Sequence, residues 1–499
     1  MVCPDPTLDT YRRRAEQFCQ QLDRERYLHL AGHKRELEIE AIYSRHADLF
    51  SREAVAWLRE LAATADGDAG RRLSFLVELA VHGHLGLATA GEEARLGELS
   101  AELELELDGE RIPYRTAPIE QANEPDAGRR AAISAARDAL LVEHLNPLHR
   151  EALARTHELT RSLGWESYRE MCAELRGIDL EGLAGQTRSF LAATEAAFPV
   201  LLEAELDRAQ LPPLGDLRRS DLPRLFRAPA LDDAYREGLV IESFAATLGG
   251  LGIELSAQRN VHIDAESRPT KSSRAFCSSP RVPAEVYLVV APAGGRDDYA
   301  ALFHEGGHVE HYANTDPELA FEFRHLGDNT VTESFAFLLE GVTSDAGWLE
   351  SRLGVEDPGP IADHVRVSRL MMLRRYAAKL DYELELHSAQ ADLSSMPGRY
   401  AELLGDATGV AWPEASWLAD VDPAFYAACY LRAWALEARW RLALVERFGE
   451  RWFESPAAGG WLRALWREGH RLRGDELLAE TLGEELKFGA LAAEFDPVR

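Results

Sequence analysis

The stretch Asp297-Asp298-Tyr299-Ala300-Ala301-Leu302-Phe303-His304-Glu305-Gly306-Gly307-His308 decides how this chain is read. Its apolar spacing, with two acidic residues in a first turn where the helix dipole favours them, predicts a helix that carries the pentad His304 to His308. Residues four apart share one helical face. His304 and His308 can therefore reach one metal ion at roughly 2.0–2.1 Å, while Glu305 points toward a water on that ion. Two imidazoles one turn apart beside a carboxylate are what a hydrolytic zinc site requires.

Two consecutive glycines inside a helix cost about 1 kcal/mol each relative to alanine. Gly306 and Gly307 therefore predict that another backbone or a substrate comes close to this helix. A catalytic zinc takes a third protein ligand and leaves one position open. Glu333 is the candidate: after the turn-forming Asn314, Asp316, Pro317, Gly327, Asp328 and Asn329, the run Thr332-Glu333-Ser334-Phe335-Ala336-Phe337-Leu338-Leu339-Glu340 reads as a second apolar helix with Glu333 in its first turns.

Extended by three residues, His304-Glu305-Gly306-Gly307-His308-Val309-Glu310-His311 resembles the HExGHxxH core of the thimet oligopeptidase and oligoendopeptidase F zinc peptidases, which are of the gluzincin type. The spacing to Glu333 and the run ending in Leu-Leu-Glu at Glu340 are similar to that family as well. Upstream, Ser273-Arg274-Ala275-Phe276-Cys277 and the strand-like Glu285-Val286-Tyr287-Leu288-Val289-Val290 resemble its small-residue-Ala-Phe segment and the strand before the pentad. Such a strand can pair with an extended substrate backbone or be buried in a small sheet. Downstream, Phe425-Tyr426-Ala427-Ala428-Cys429-Tyr430 looks like the segment whose phenols face the metal in those enzymes. The chain departs from the pattern where a further tyrosine is replaced by Arg432, Ala433 or Trp434, and where Val421 or nothing stands for a histidine.

The resemblance implies a mainly α, bilobal helical zinc-peptidase fold with a deep central channel and a small mixed β-sheet beside the active-site helix. It implies hydrolysis of short or unfolded peptides by a zinc-dependent metalloendopeptidase, with one Zn2+ per chain held by His304, His308 and Glu333. Glu305 is the expected general base, passing its proton to the leaving amine, and Tyr430 or Tyr426 the expected hydrogen-bond donor to the oxyanion. His311 either orients a ligand or is a hydrogen-bonded core histidine. Two rivals remain: a metallocarboxypeptidase of related helical architecture, and a non-catalytic peptide-binding descendant. Retention of all four metal-site residues argues against the second.

The formal net charge of −29 argues against nucleic acid and anionic membrane surfaces as partners, since both require an excess of Lys and Arg, and leaves a peptide substrate as the expected partner. An apolar content of 46 % supports a large core. The five cysteines, Cys3, Cys19, Cys172, Cys277 and Cys429, are odd in number and scattered, which suggests reduced thiols and a cytoplasmic protein. The start Met1-Val2-Cys3-Pro4-Asp5-Pro6 lacks a basic and apolar leader, and no run reads as a membrane span.

Along the chain, helical patterns run from about 7 to 100, with a polar break at 65–70. Ala101 to Arg115 alternates Leu with Glu, and Asp108-Gly109 can turn a hairpin. Helices resume from about Gly128 to Leu206. Gln210-Leu211-Pro212-Pro213-Leu214-Gly215-Asp216 is the clearest break, giving a soft division into an N-terminal helical lobe, 1–212, and a catalytic region, 213–499.

Overall fold

The computed structural model describes residues 7–292 and 294–495. It is mainly helical, with a two-stranded and a three-stranded sheet among the described residues. By compactness the chain forms two units, each assembled from three separate segments. The first comprises Met1–Leu87, Asp232–Pro358 and Arg432–Leu486; the second comprises Ala88–Leu231, Gly359–Leu431 and Lys487–Arg499. The expected soft division at 212/213 falls within the second unit's 88–231 segment.

In the second unit the Leu/Glu alternation forms the hairpin. Strand β1 (Glu104–Leu107) pairs antiparallel with β2 (Glu110–Pro113), placing Leu105 opposite Ile112 on the buried face. Asp108 and Gly109 have φ of 52° and 85°, the left-handed pair that a two-residue hairpin turn demands. Leu105 and Ile112 pack with Tyr114, Ile133, Leu141 and Leu145 in a small core. The break after the helix Ala197–Arg208 is a loop through Pro212 and Pro213.

The first unit carries the pentad. Its three-stranded sheet has the order β3 (Val261–Asp264), β5 (Glu285–Val289), β4 (Phe276–Arg281), with β3 parallel and β4 antiparallel to β5. The expectation that the Glu285–Val290 strand can pair with substrate is corrected here. β5 is the middle strand, and both its edges are already bonded; Val286, Leu288 and Val289 are buried. The other reading, a strand buried in a small sheet, is the one observed.

The helix Arg296–Asn314 follows, with Asp297 and Asp298 in its first turn, and Asp298 accepts a hydrogen bond from the Gly294 N–H at 2.7 Å. Tyr299, Leu302, Phe303 and Val309 turn one face into the core, where Phe303 meets the rings of Phe244 and Trp348, and Tyr299 that of Trp348. Each such side chain contributes about 1.5–3 kcal/mol of burial. His304, Glu305, His308 and Tyr312 form the less buried stripe at helical spacing.

The helix Asn329–Val342 packs beside it. Asp328 caps its N-terminus, accepting from the Thr330 N–H at 3.0 Å, and the buried Asp328 carboxylate also accepts from Arg432 at 2.8 Å and from the Gly474 N–H at 3.1 Å. That network fixes the turn from which Thr332 and Glu333 project.

Against the expectation that no run reads as a membrane span, the helix Gly67–Glu102 is long and apolar enough by length and composition to cross a membrane; half of its apolar window is buried within the protein. Among the described cysteines, Cys19, Cys172, Cys277 and Cys429 are free thiols; Cys3 lies outside the described residues.

Candidate metal centre

The two glycines of the pentad set how closely its neighbours approach. A Cβ added at Gly307 would lie 2.5 Å from the Ala336 Cα and from the Phe335 carbonyl oxygen, so here the two helices touch backbone to backbone. A Cβ at Gly306 would lie 2.4 Å from the ring of Phe244. The close approach expected from the sequence is thus to a backbone at one glycine and to an aromatic ring at the other.

That contact brings Glu333 opposite the two imidazoles. Glu333 Oε2 lies 3.4 Å from His304 Nε2 and 3.8 Å from His308 Nε2, and ligand atoms of all three residues fall within 4.8 Å of one another. Both separations exceed the usual 2.7–3.2 Å of a direct N–H···O hydrogen bond. They are close to the edge of a tetrahedron built on Zn–N and Zn–O bonds of about 2.0–2.2 Å, which is roughly 3.3–3.6 Å. Two nitrogens and one carboxylate oxygen are also the donor set of such a centre. The residues therefore fit a single small divalent cation.

The outward nitrogens are fixed too. His304 Nδ1 is 2.9 Å from Glu340 Oε2, and His308 Nδ1 is 2.8 Å from Thr332 Oγ1. With hydrogen on each Nδ1, both Nε2 lone pairs face Glu333, which is the tautomer a metal needs. In the metal-free chain, burial pulls His304 down, but Glu333 and Glu340 outweigh it and raise its pKa to about 10. His308 is held down to about 4, chiefly by burial.

Glu305 stands beside this cluster without belonging to it. Its Oε2 accepts from the Cys277 backbone N–H at 2.7 Å, and burial raises its pKa to about 7 despite that hydrogen bond and the neighbouring His304. A carboxyl that titrates near neutrality, with its second oxygen not committed to Cys277, suits proton transfer.

The remaining candidates lie as follows. His311 is buried, with Nε2 3.2 Å from the Gly469 carbonyl oxygen and its ring 5.0 Å from that of His470, so it is a packed core histidine. Tyr426 and Tyr430 belong to the second unit, where their rings pack edge to face at 4.9 Å and Tyr430 lies 5.5 Å from Tyr376. Sequence reasoning missed three contributors to the site: Glu340 and Thr332 behind the imidazoles, and the Cys277 N–H on Glu305. Glu340 was legible, since seven residues after Glu333 returns to the same helical face. A backbone donor leaves no mark in the sequence. Compared with family models and with curated proteins, the chain finds no match in either.

Proposed function

We propose that this protein is a zinc-dependent metalloendopeptidase that hydrolyses short or unfolded peptides, with His304, His308 and Glu333 as the ligands of one Zn2+. The observation that carries this reading is the convergence of those three side chains beside a carboxyl, Glu305, whose pKa is raised to about 7. When bound, zinc supplies Lewis acidity, polarising the scissile carbonyl and making a nearby water easier to deprotonate.

The rest is done by the chain. Glu305, held through Oε2 by the Cys277 N–H, takes the proton of the attacking water on its other oxygen and delivers it to the amine as the peptide bond breaks. Glu340 and Thr332 keep the two imidazoles in one orientation throughout. The resemblance gives Tyr430 or Tyr426 the donation of a hydrogen bond to the developing oxyanion, a role that substitution by phenylalanine tests. A bilobal helical body with a deep channel and a cytoplasmic location belong to the same proposal.

The test is mass spectrometry of a peptide library incubated with the zinc-loaded protein. Internal cleavage of free and C-terminally amidated peptides alike supports endopeptidase action. Activity lost on amidation points to a carboxypeptidase, and an untouched library removes the peptidase reading.

A further inference from the structure

The first unit holds a cavity at the end of the three-stranded sheet where β4 anchors Glu305. Asp264 and Phe276 both pair with Val289, so β3 ends, β4 begins and β5 ends at one place. There a pocket of about 580 Å³ opens, lined by Arg268, Lys271 and Ser273 from the β3–β4 connection, by Pro292 after β5, and by Glu237 and Ile241. That volume is within the range of small-ligand sites, about 300–1,000 Å³.

The electrostatics of the lining are one-sided. Lys271 Nζ donates to the Asp264 carbonyl at 2.7 Å, to Asp264 Oδ1 at 3.0 Å and to the Glu266 carbonyl at 2.9 Å, which uses all three ammonium hydrogens. Arg268 donates to the Ala31 carbonyl, to Asp264 and to Glu266. Both cations thus have carboxylate partners, Asp264 for Lys271 and Asp264 with Glu266 for Arg268. Glu237 is exposed and makes no ion pair among the described residues, so it is the one lining charge left without a counter-ion.

Position ties the pocket to the reaction. Ser273 precedes Cys277 by four residues, and the Cys277 N–H holds Glu305. Four extended residues reach at most about 14 Å. We infer that the pocket is a substrate subsite in which Glu237 receives a cationic nitrogen, from an arginine or lysine side chain or from the peptide's own α-amino group. The inference rests on the peptidase reading, and it names the class of substrate that the same site selects.

The experiment measures kcat/KM of the zinc-loaded protein on matched peptides with arginine or its neutral isostere citrulline at each position on either side of the cleaved bond. Each peptide is made with a free and with an acetylated amino terminus. At one position, or at the free amine, the cationic form is expected to be cleaved roughly 1.5- to fivefold faster, the scale of one exposed ion pair. In Glu237→Gln that ratio falls to near one, and in Glu237→Lys it inverts. A preference for arginine in acetylated peptides identifies the side chain as the source, and a preference abolished by acetylation identifies the α-amino group. A wild type without preference, or a preference that survives both substitutions, overturns the inference while leaving the peptidase reading intact. Failure to cleave any peptide removes the peptidase reading, and the inference with it.

Discussion

The Cys277 backbone N–H donates to Glu305 Oε2 at 2.7 Å, tying the first residues of β4 to the pentad helix. One carboxylate oxygen is thereby fixed without using a side chain, and the rotamer of the proposed base is set by a strand. Glutamine retains an oxygen for this bond and loses the ability to take a proton.

Glu305→Gln is therefore expected to fold and to bind zinc as the wild type does, yet to turn peptides over at least about 100-fold more slowly, as removal of a general base does. Steady-state kinetics beside metal analysis checks this, and normal hydrolysis by the Gln variant would show that Glu305 is not the base.

The pKa of the same carboxyl gives a pH signature. In the metal-free chain it is raised from about 4.5 to about 7, chiefly by burial, so the folded state holds this proton more tightly than the unfolded state does. Below about 4.5 both states are protonated and the group costs nothing; between about 4.5 and 7 the unfolded state alone ionises, and stability falls as pH rises. Metal-free Glu305→Gln should thus unfold at a higher temperature than metal-free wild type at pH 8, with the gap closing at pH 4. Equal melting curves at both pH values would contradict the burial argument.

Glu340 holds His304 through Nδ1 at 2.9 Å, on the side of the ring away from Nε2. Glu340→Ala is expected to weaken zinc binding by roughly 10- to 100-fold, as loss of a partner behind a ligating imidazole does. Competition with a chromophoric chelator measures it, and unchanged affinity would mean that the His304 ring is held by packing alone.

Gly307→Ala places a methyl 2.5 Å from the backbone of Ala336, so the two helices must separate by about 1 Å to accept it. Alanine gains about 1 kcal/mol of helix propensity. Overpacking of a rigid backbone contact costs about 1–3 kcal/mol or more. The expected outcome is a less stable protein with weakened zinc binding, because Glu333 moves away with its helix. Calorimetry and metal titration check both.

Much of the cluster was legible because helical periodicity fixes which side chains share a face. His304 and His308 follow from spacing alone, the close approach at Gly307 from the cost of glycine in a helix, and the β1–β2 hairpin from Asp108-Gly109 between alternating residues. Other features depend on long-range pairing. Whether Glu285–Val289 is an edge or a middle strand is decided by β3 and β4, and no local pattern carries that information. The Cys277 N–H and the neutralisation of Lys271 by two carbonyls and Asp264 are equally silent, since backbone partners have no residue type. The assembly of each compact unit from three distant segments also lies beyond local signals such as Pro212-Pro213, which mark a loop and nothing more.

The most direct measurement is the metal content of the purified, zinc-loaded and dialysed protein, alongside His308→Ala and Glu333→Ala variants verified as folded by circular dichroism. The account predicts one zinc per wild-type chain and none retained by either variant. A wild type that keeps no metal, or variants that keep it at full stoichiometry, would contradict the claim that His304, His308 and Glu333 form one centre.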